Sequence, residues 1–201
     1  MKSRSLRTLI GLLAVVTAAA QEPAPNRPAF LVRMSWSELE LSPDGINRND
    51  CLLVFPDGHF HMEQRFQQLP KTEASLRIHE SLLSNAQLDQ LRSLLDQRQV
   101  VTLPQFVPFH LVVPVRLRRG FQAEISRNQE TVQRVGYMEW EVSKHDDAHY
   151  PTSEALEKSR TLDESQQPAR TTLRPLLQWL LKLESQQPAQ GSGESTLCEL
   201  E

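Results

Sequence analysis

The sequence predicts an α+β fold: a single, mostly antiparallel sheet of about 4–6 strands with two amphipathic helices packed on one face. Three observations carry this. Apolar residues alternate with a period of two over 59–66 and 112–142, leucines recur at helical spacing over 88–95 and 173–183, and turn residues separate the runs. With 201 residues, 39% hydrophobic and 23% charged, the chain has the composition of one globular domain, which excludes collagen-like, coiled-coil and fully disordered classes.

The first twenty residues read as a secretory signal peptide. Lys2, Arg4 and Arg7 precede the apolar run Leu9 to Val16, and Ala18, Ala19 and Ala20 supply the small residues of a cleavage site after Ala20. The apolar run is too short for a permanent membrane helix, so no membrane anchor is expected after cleavage. Losing the three cations takes the net charge from −3 to −6. A mildly acidic exported chain, periplasmic or secreted, has no general pull toward nucleic acid. Residues 21–29 are a Pro/Ala-rich linker, and residues 30–184 form a single domain whose clear core spans 50–183.

Within that domain, Phe30-Leu31-Val32 opens the first apolar run, and the stretch around Trp36, Leu39 and Leu41 reads as a strand without a fixed period. Cys51 to Phe55 is a buried strand, Pro56-Asp57-Gly58 a turn, and the next strand places Phe60, Met62 and Phe66 inward with His59, His61, Glu63 and Arg65 on a solvated face. Ser84 caps a helix from Asn85 to Gln97, and Gln87 completes a capping box. Its stripe is Leu88, Leu91, Leu94 and Leu95. A meander follows over 112–142, with turns near Arg119-Gly120 and over Arg127 to Glu130. Pro114, lacking a ladder donor, marks an edge strand. Residues 143–170 are a polar surface excursion. Thr171 or Thr172 then starts a last helix, with Pro175 in its first turn and Leu173, Leu176, Leu177, Leu180 and Leu183 on its apolar face. The hexapeptide Glu-Ser-Gln-Gln-Pro-Ala, at 164–169 and 184–189, brackets that helix as polar linker, and 185–201 are a flexible tail.

Few residues suggest chemistry. His59 and His61, at i and i+2 on a strand, and His145 and His149, at i and i+4, have spacings that suit a metal. They define the alternative reading, a metal-dependent enzyme. The same alternation follows from a solvated strand face, so no metal, cofactor or catalytic residue is assigned. A Gly-x-Ser-x-Gly elbow, a phosphate-binding loop, a dinucleotide fingerprint and Cys-x-x-Cys are all absent from the sequence. Arg116, Arg118 and Arg119 form a basic run suited to grip carboxylates or phosphates on a partner. Cys51 and Cys198, the two cysteines, are a candidate disulfide in an oxidising compartment.

The strand ending in Pro-Asp-Gly, the alternating second strand, the helix from Leu83 to Asp96, the meander and the Leu-rich helix at 173–183 together resemble the small α+β proteins of the emfourin type. They are similar, too, to several uncharacterised bacterial envelope domains. Emfourins inhibit thermolysin-like metalloproteases, so the resemblance implies a non-enzymatic module with a protein partner. It maps no inhibitory residue, and a structural envelope role is a further alternative.

Overall fold

The computed structural model describes residues 30–111, 113–128, 131–143 and 151–187. The elements in order are β1 (Val32–Glu40), β2 (Ile46–Val54), β3 (His59–Gln68), β4 (Ser75–Leu82), α1 (Asn85–Leu95), α2 (Arg98–Val101), β5 (Val115–Ser126), β6 (Val132–Val142) and α3 (Ser153–Ser185). The six strands form one antiparallel sheet in the order β4-β3-β2-β1-β5-β6. The fold is therefore α+β, with three helices among the described residues where the sequence predicts two.

Strand alternation divides the sheet into two faces. Val32, Met34 and Trp36 of β1, Leu52 and Val54 of β2, Phe60 and Met62 of β3, Phe121, Ala123 and Ile125 of β5, and Val135 and Tyr137 of β6 are buried in one cluster. Leu88, Leu91 and Leu95 of α1 join it, as do Leu173, Leu176, Trp179, Leu180 and Leu183 of α3. Burying a leucine or phenylalanine side chain stabilises by roughly 1.5–3 kcal/mol, so this helix-side cluster is the main source of folding energy.

Local chemistry explains the hairpin and the first helix. Gly58 adopts φ 91°, a conformation glycine reaches without a Cβ clash, and its N–H donates to the Phe55 carbonyl at 3.0 Å. The His59 N–H donates to Asp57 Oδ1 at 3.0 Å, closing the turn on the strand. At α1, Ser84 Oγ accepts from the Gln87 N–H at 3.3 Å while Gln87 Oε1 accepts from the Ser84 N–H at 2.9 Å, the reciprocal cap the sequence predicts.

Five expectations are corrected. The excursion over 143–170 is helical from Ser153, because Thr152 caps α3 by accepting from the Ala155 N–H at 3.2 Å and the helix continues without a break to Ser185. Pro168 and Pro175 therefore lie inside a helix. Each deletes one backbone donor, and both lie on the exposed side of the helix. The first copy of the hexapeptide is helix, not linker. No turn forms at Arg119-Gly120: β5 runs straight through, and a Cβ at Gly120 would lie 3.1 Å from Ser37 Oγ, so this glycine serves a close strand-to-strand approach. Pro114 precedes β5, which is an interior strand, while the edges are β4 and β6. Finally, the face of β3 read as solvated holds His61 and Glu63, both buried.

Candidate functional site

The row of residues nearest the open end of the helix-side face is charged rather than apolar. Register places Arg48 opposite Glu38, Glu38 opposite Arg119, and Arg119 opposite Glu139, so charges of alternating sign cross four strands. Arg119 donates to Glu38 Oε1 from Nη2 at 2.6 Å. Helix α3 then adds its own charges to both ends of the row. Glu184, in its last turn, pairs with Arg48. Arg170, in its middle, bridges Glu139 at 3.0 Å and Asp163 at 2.7 Å and donates to the Met138 carbonyl at 3.1 Å.

Between α3 and the β5–β6 end lies a groove of about 360 Å³, with Arg119, Arg170, Arg174, Glu139, Asp163 and Trp140 among its walls. Trp140 is held by its Nε1–H, which donates to Ser159 Oγ at 2.8 Å, and by a T-shaped contact with the Phe109 ring, 5.9 Å between centroids. At the rim, Arg116 pairs with Glu141 at 2.6 Å, which holds the Glu141 carboxyl below its ordinary range and the guanidinium above its own. Arg119 and Arg170 are neutralised by carboxylates of the chain. Arg174 is not, among the described residues. Its charge and that of Arg170 act on the Tyr137 phenol, although burial dominates there and pushes it up to about 12.

Beside the row, Asp50 is buried, 2% exposed, opposite Trp36 and Gln64. Its Oδ2 accepts from Arg48 Nε at 2.7 Å, while Oδ1 is buried without a partner. Burial pushes its carboxyl up to about 7, against the opposing pull of Arg48.

The basic run of the sequence is thus divided by strand geometry. Arg119 lines the groove, Arg116 is tied to Glu141 at its rim, and Arg118, one position along β5 from Arg119, lies opposite Leu39 and Trp140. The histidines part as well: His59 is exposed and bound to Asp57, whereas His61 is buried between Glu63 and Glu80, each 2.9 Å from a ring nitrogen. His145 and His149 lie outside the described residues. Among the described residues no three or more His, Cys, Asp or Glu side chains gather as for a metal ion. Cys51 is disulfide-bonded, and Cys198 lies outside the described residues. Also among them, no helix is long and apolar enough to cross a membrane.

Sequence reasoning missed Glu38, Asp50, Glu139, Asp163, Arg170 and Arg174. A signal existed in the pairing of Asp50 and Arg48 next to a buried strand, and in the cations at 170 and 174, which are one helical turn apart. A scan against protein-family models, a search of the curated proteins and a search of the solved structures each find no match.

Proposed function

We propose that the mature chain is an exported, non-enzymatic binding module that grips a carboxylate-bearing segment of a protein partner in the groove between α3 and the β5–β6 end. Arg174 is the observation that carries this reading: it lines the groove beside two arginines already neutralised by their own carboxylates. A guanidinium presents a fork of donors that fits a carboxylate with two parallel hydrogen bonds. The Arg119 and Arg170 ion pairs fix the walls in advance, so little side-chain freedom is lost on binding. Trp140, held by Ser159 and Phe109, supplies the rigid aromatic surface that interfaces favour. Export is supported by the cationic, apolar and small-residue segments before Gln21.

The most concrete version is inhibition of a thermolysin-like metalloprotease, which the resemblance to emfourins motivates. Residual protease activity is measured with the mature chain in large molar excess. The reading predicts inhibition that weakens with added salt and with Arg174→Glu. Full protease activity at hundredfold excess ends the inhibitor version. Inhibition that is indifferent to Arg174→Glu ends the groove assignment.

A further inference from the structure

The outer edge of β6 is bonded at two points and open between them. Backbone groups of successive residues in an antiparallel strand turn to alternate sides. Those of Arg134 turn outward: its C=O accepts from the Phe106 N–H at 2.9 Å, and its N–H donates to Gln105 Oε1 at 3.4 Å. Met138 turns the same way, its C=O accepting from Arg170 Nη2 at 3.1 Å. Gly136, midway between them, therefore sends its own N–H and C=O outward. It is buried, and among the described residues neither group has a partner. Gly136 is one wall of a cavity of about 130 Å³. The segment 103–107 forms a second wall, and Ser165, Gln166 and Ala169 of α3 a third.

We propose that this cavity binds a primary carboxamide, the group that ends asparagine and glutamine side chains. Buried backbone donors and acceptors are paired in nearly every folded protein. This pair asks for an acceptor and a donor on neighbouring atoms. A carboxamide offers both, whereas a carboxylate only accepts and an ammonium only donates. The same strand already shows half of the recognition, in the Arg134 N–H bonded to the carboxamide oxygen of Gln105. Size agrees: at a water's share of about 30 Å³, the cavity takes about four non-hydrogen atoms, as many as acetamide carries. A peptide strand laid along β6 would have to displace both flanking contacts, which lie about 13 Å apart along the strand. The ligand is therefore a single end group. The polar rim does not answer Gly136 itself, because Ser165 Oγ donates to the Leu162 carbonyl at 2.6 Å and accepts from Gln166 Nε2 at 3.3 Å. The cavity shares no lining residue with the arginine groove, so this site does not rest on the carboxylate reading.

The test titrates acetamide into the isotope-labelled mature chain, followed by amide NMR. The Gly136 and Ala169 resonances are expected to move saturably, half-way in the millimolar range, while Gly58 in its distant turn stays still. Arg174→Glu should leave this titration unchanged. Acetate and N,N-dimethylacetamide, which carry no N–H, should bind at least about tenfold more weakly. A capped tripeptide with glutamine at its centre and an N-methylamide end, set against its glutamate counterpart, distinguishes the sources. Preference for the glutamine peptide assigns the ligand to a partner protein, and binding of acetamide alone assigns it to a free small amide. Absence of a saturable shift at Gly136 overturns the inference, as does equal binding of N,N-dimethylacetamide or of the glutamate peptide. A shift that acetamide produces only in Gln166→Ala overturns it as well, since the chain's own carboxamide would then fill the site.

Discussion

Replacing Asp50 by Asn should reverse the sign of its effect between acid and neutral pH. Burial raises the Asp50 carboxyl from 3.8 to about 7 in the folded chain. Between those values the unfolded chain has released the proton and the folded chain keeps it, so stability falls as pH rises from about 4 to about 7 and is flat above. At about 1.4 kcal/mol per pH unit, the ionised side chain costs about 4 kcal/mol at pH 8. Asparagine removes that cost and keeps an oxygen for Arg48, whose charge retains Glu184. It also places an amide where Oδ1 has no partner, which costs about 1–3 kcal/mol. The variant should therefore be less stable than the wild type by about 1–3 kcal/mol at pH 4 and more stable by a similar amount at pH 8. Urea unfolding of both proteins across that range gives the difference directly, since the other titrating groups are common to both. A difference that stays constant from pH 4 to pH 8 refutes the argument that burial controls this carboxyl.

Three further outcomes are expected. Leu91→Ala, at a fully buried position of α1 in the core cluster, should lower stability by about 2–5 kcal/mol in the same urea assay, through lost burial and a residual cavity. Gly136→Ala places a Cβ 2.7 Å from the Phe121 carbonyl and 3.1 Å from the Phe106 ring, so it should cost at least about 1–3 kcal/mol and speed amide exchange at Phe106, whose N–H donates to the Arg134 carbonyl. Ser84→Ala removes one half of the reciprocal cap and should cost about 1 kcal/mol without changing the urea slope; a larger loss would mean that the side chain does more than cap α1.

What could be read in advance follows the range of the forces involved. The hairpin at Pro56-Asp57-Gly58 and the cap at Ser84 depend on residues within four positions of each other, and both form as the sequence indicates. Helix α3 was half legible. Its second half shows a leucine stripe, whereas its first half is polar with Pro168 inside, and it is held by contacts no local pattern reveals: Trp140 with Ser159, and Arg170 with Glu139. Strand β4 escaped notice because Ser75 to Leu82 mixes Arg77, His79 and Glu80 with Leu76 and Ile78, as an edge strand tolerates. The charged row was invisible for a related reason. Arg48, Glu38, Arg119 and Glu139 meet only because β1 pairs with β2 on one side and β5 on the other, a register set by the whole sheet.

That central position of β1 bears on how the molecule assembles. Its first neighbour follows after a short turn, but its second begins at Val115, so Val32 must wait for Ile125 before its other flank is paired. Contacts so distant along the chain place folding toward the slow end for small domains, milliseconds to seconds, since loop closure precedes any gain from pairing. Until β5 pairs, the β5-facing flank of β1 has no strand partner, and β1 carries Val32, Met34 and Trp36 on its core face. In this chain the interior of the finished sheet is the edge of the unfinished one, and that is where self-association would begin.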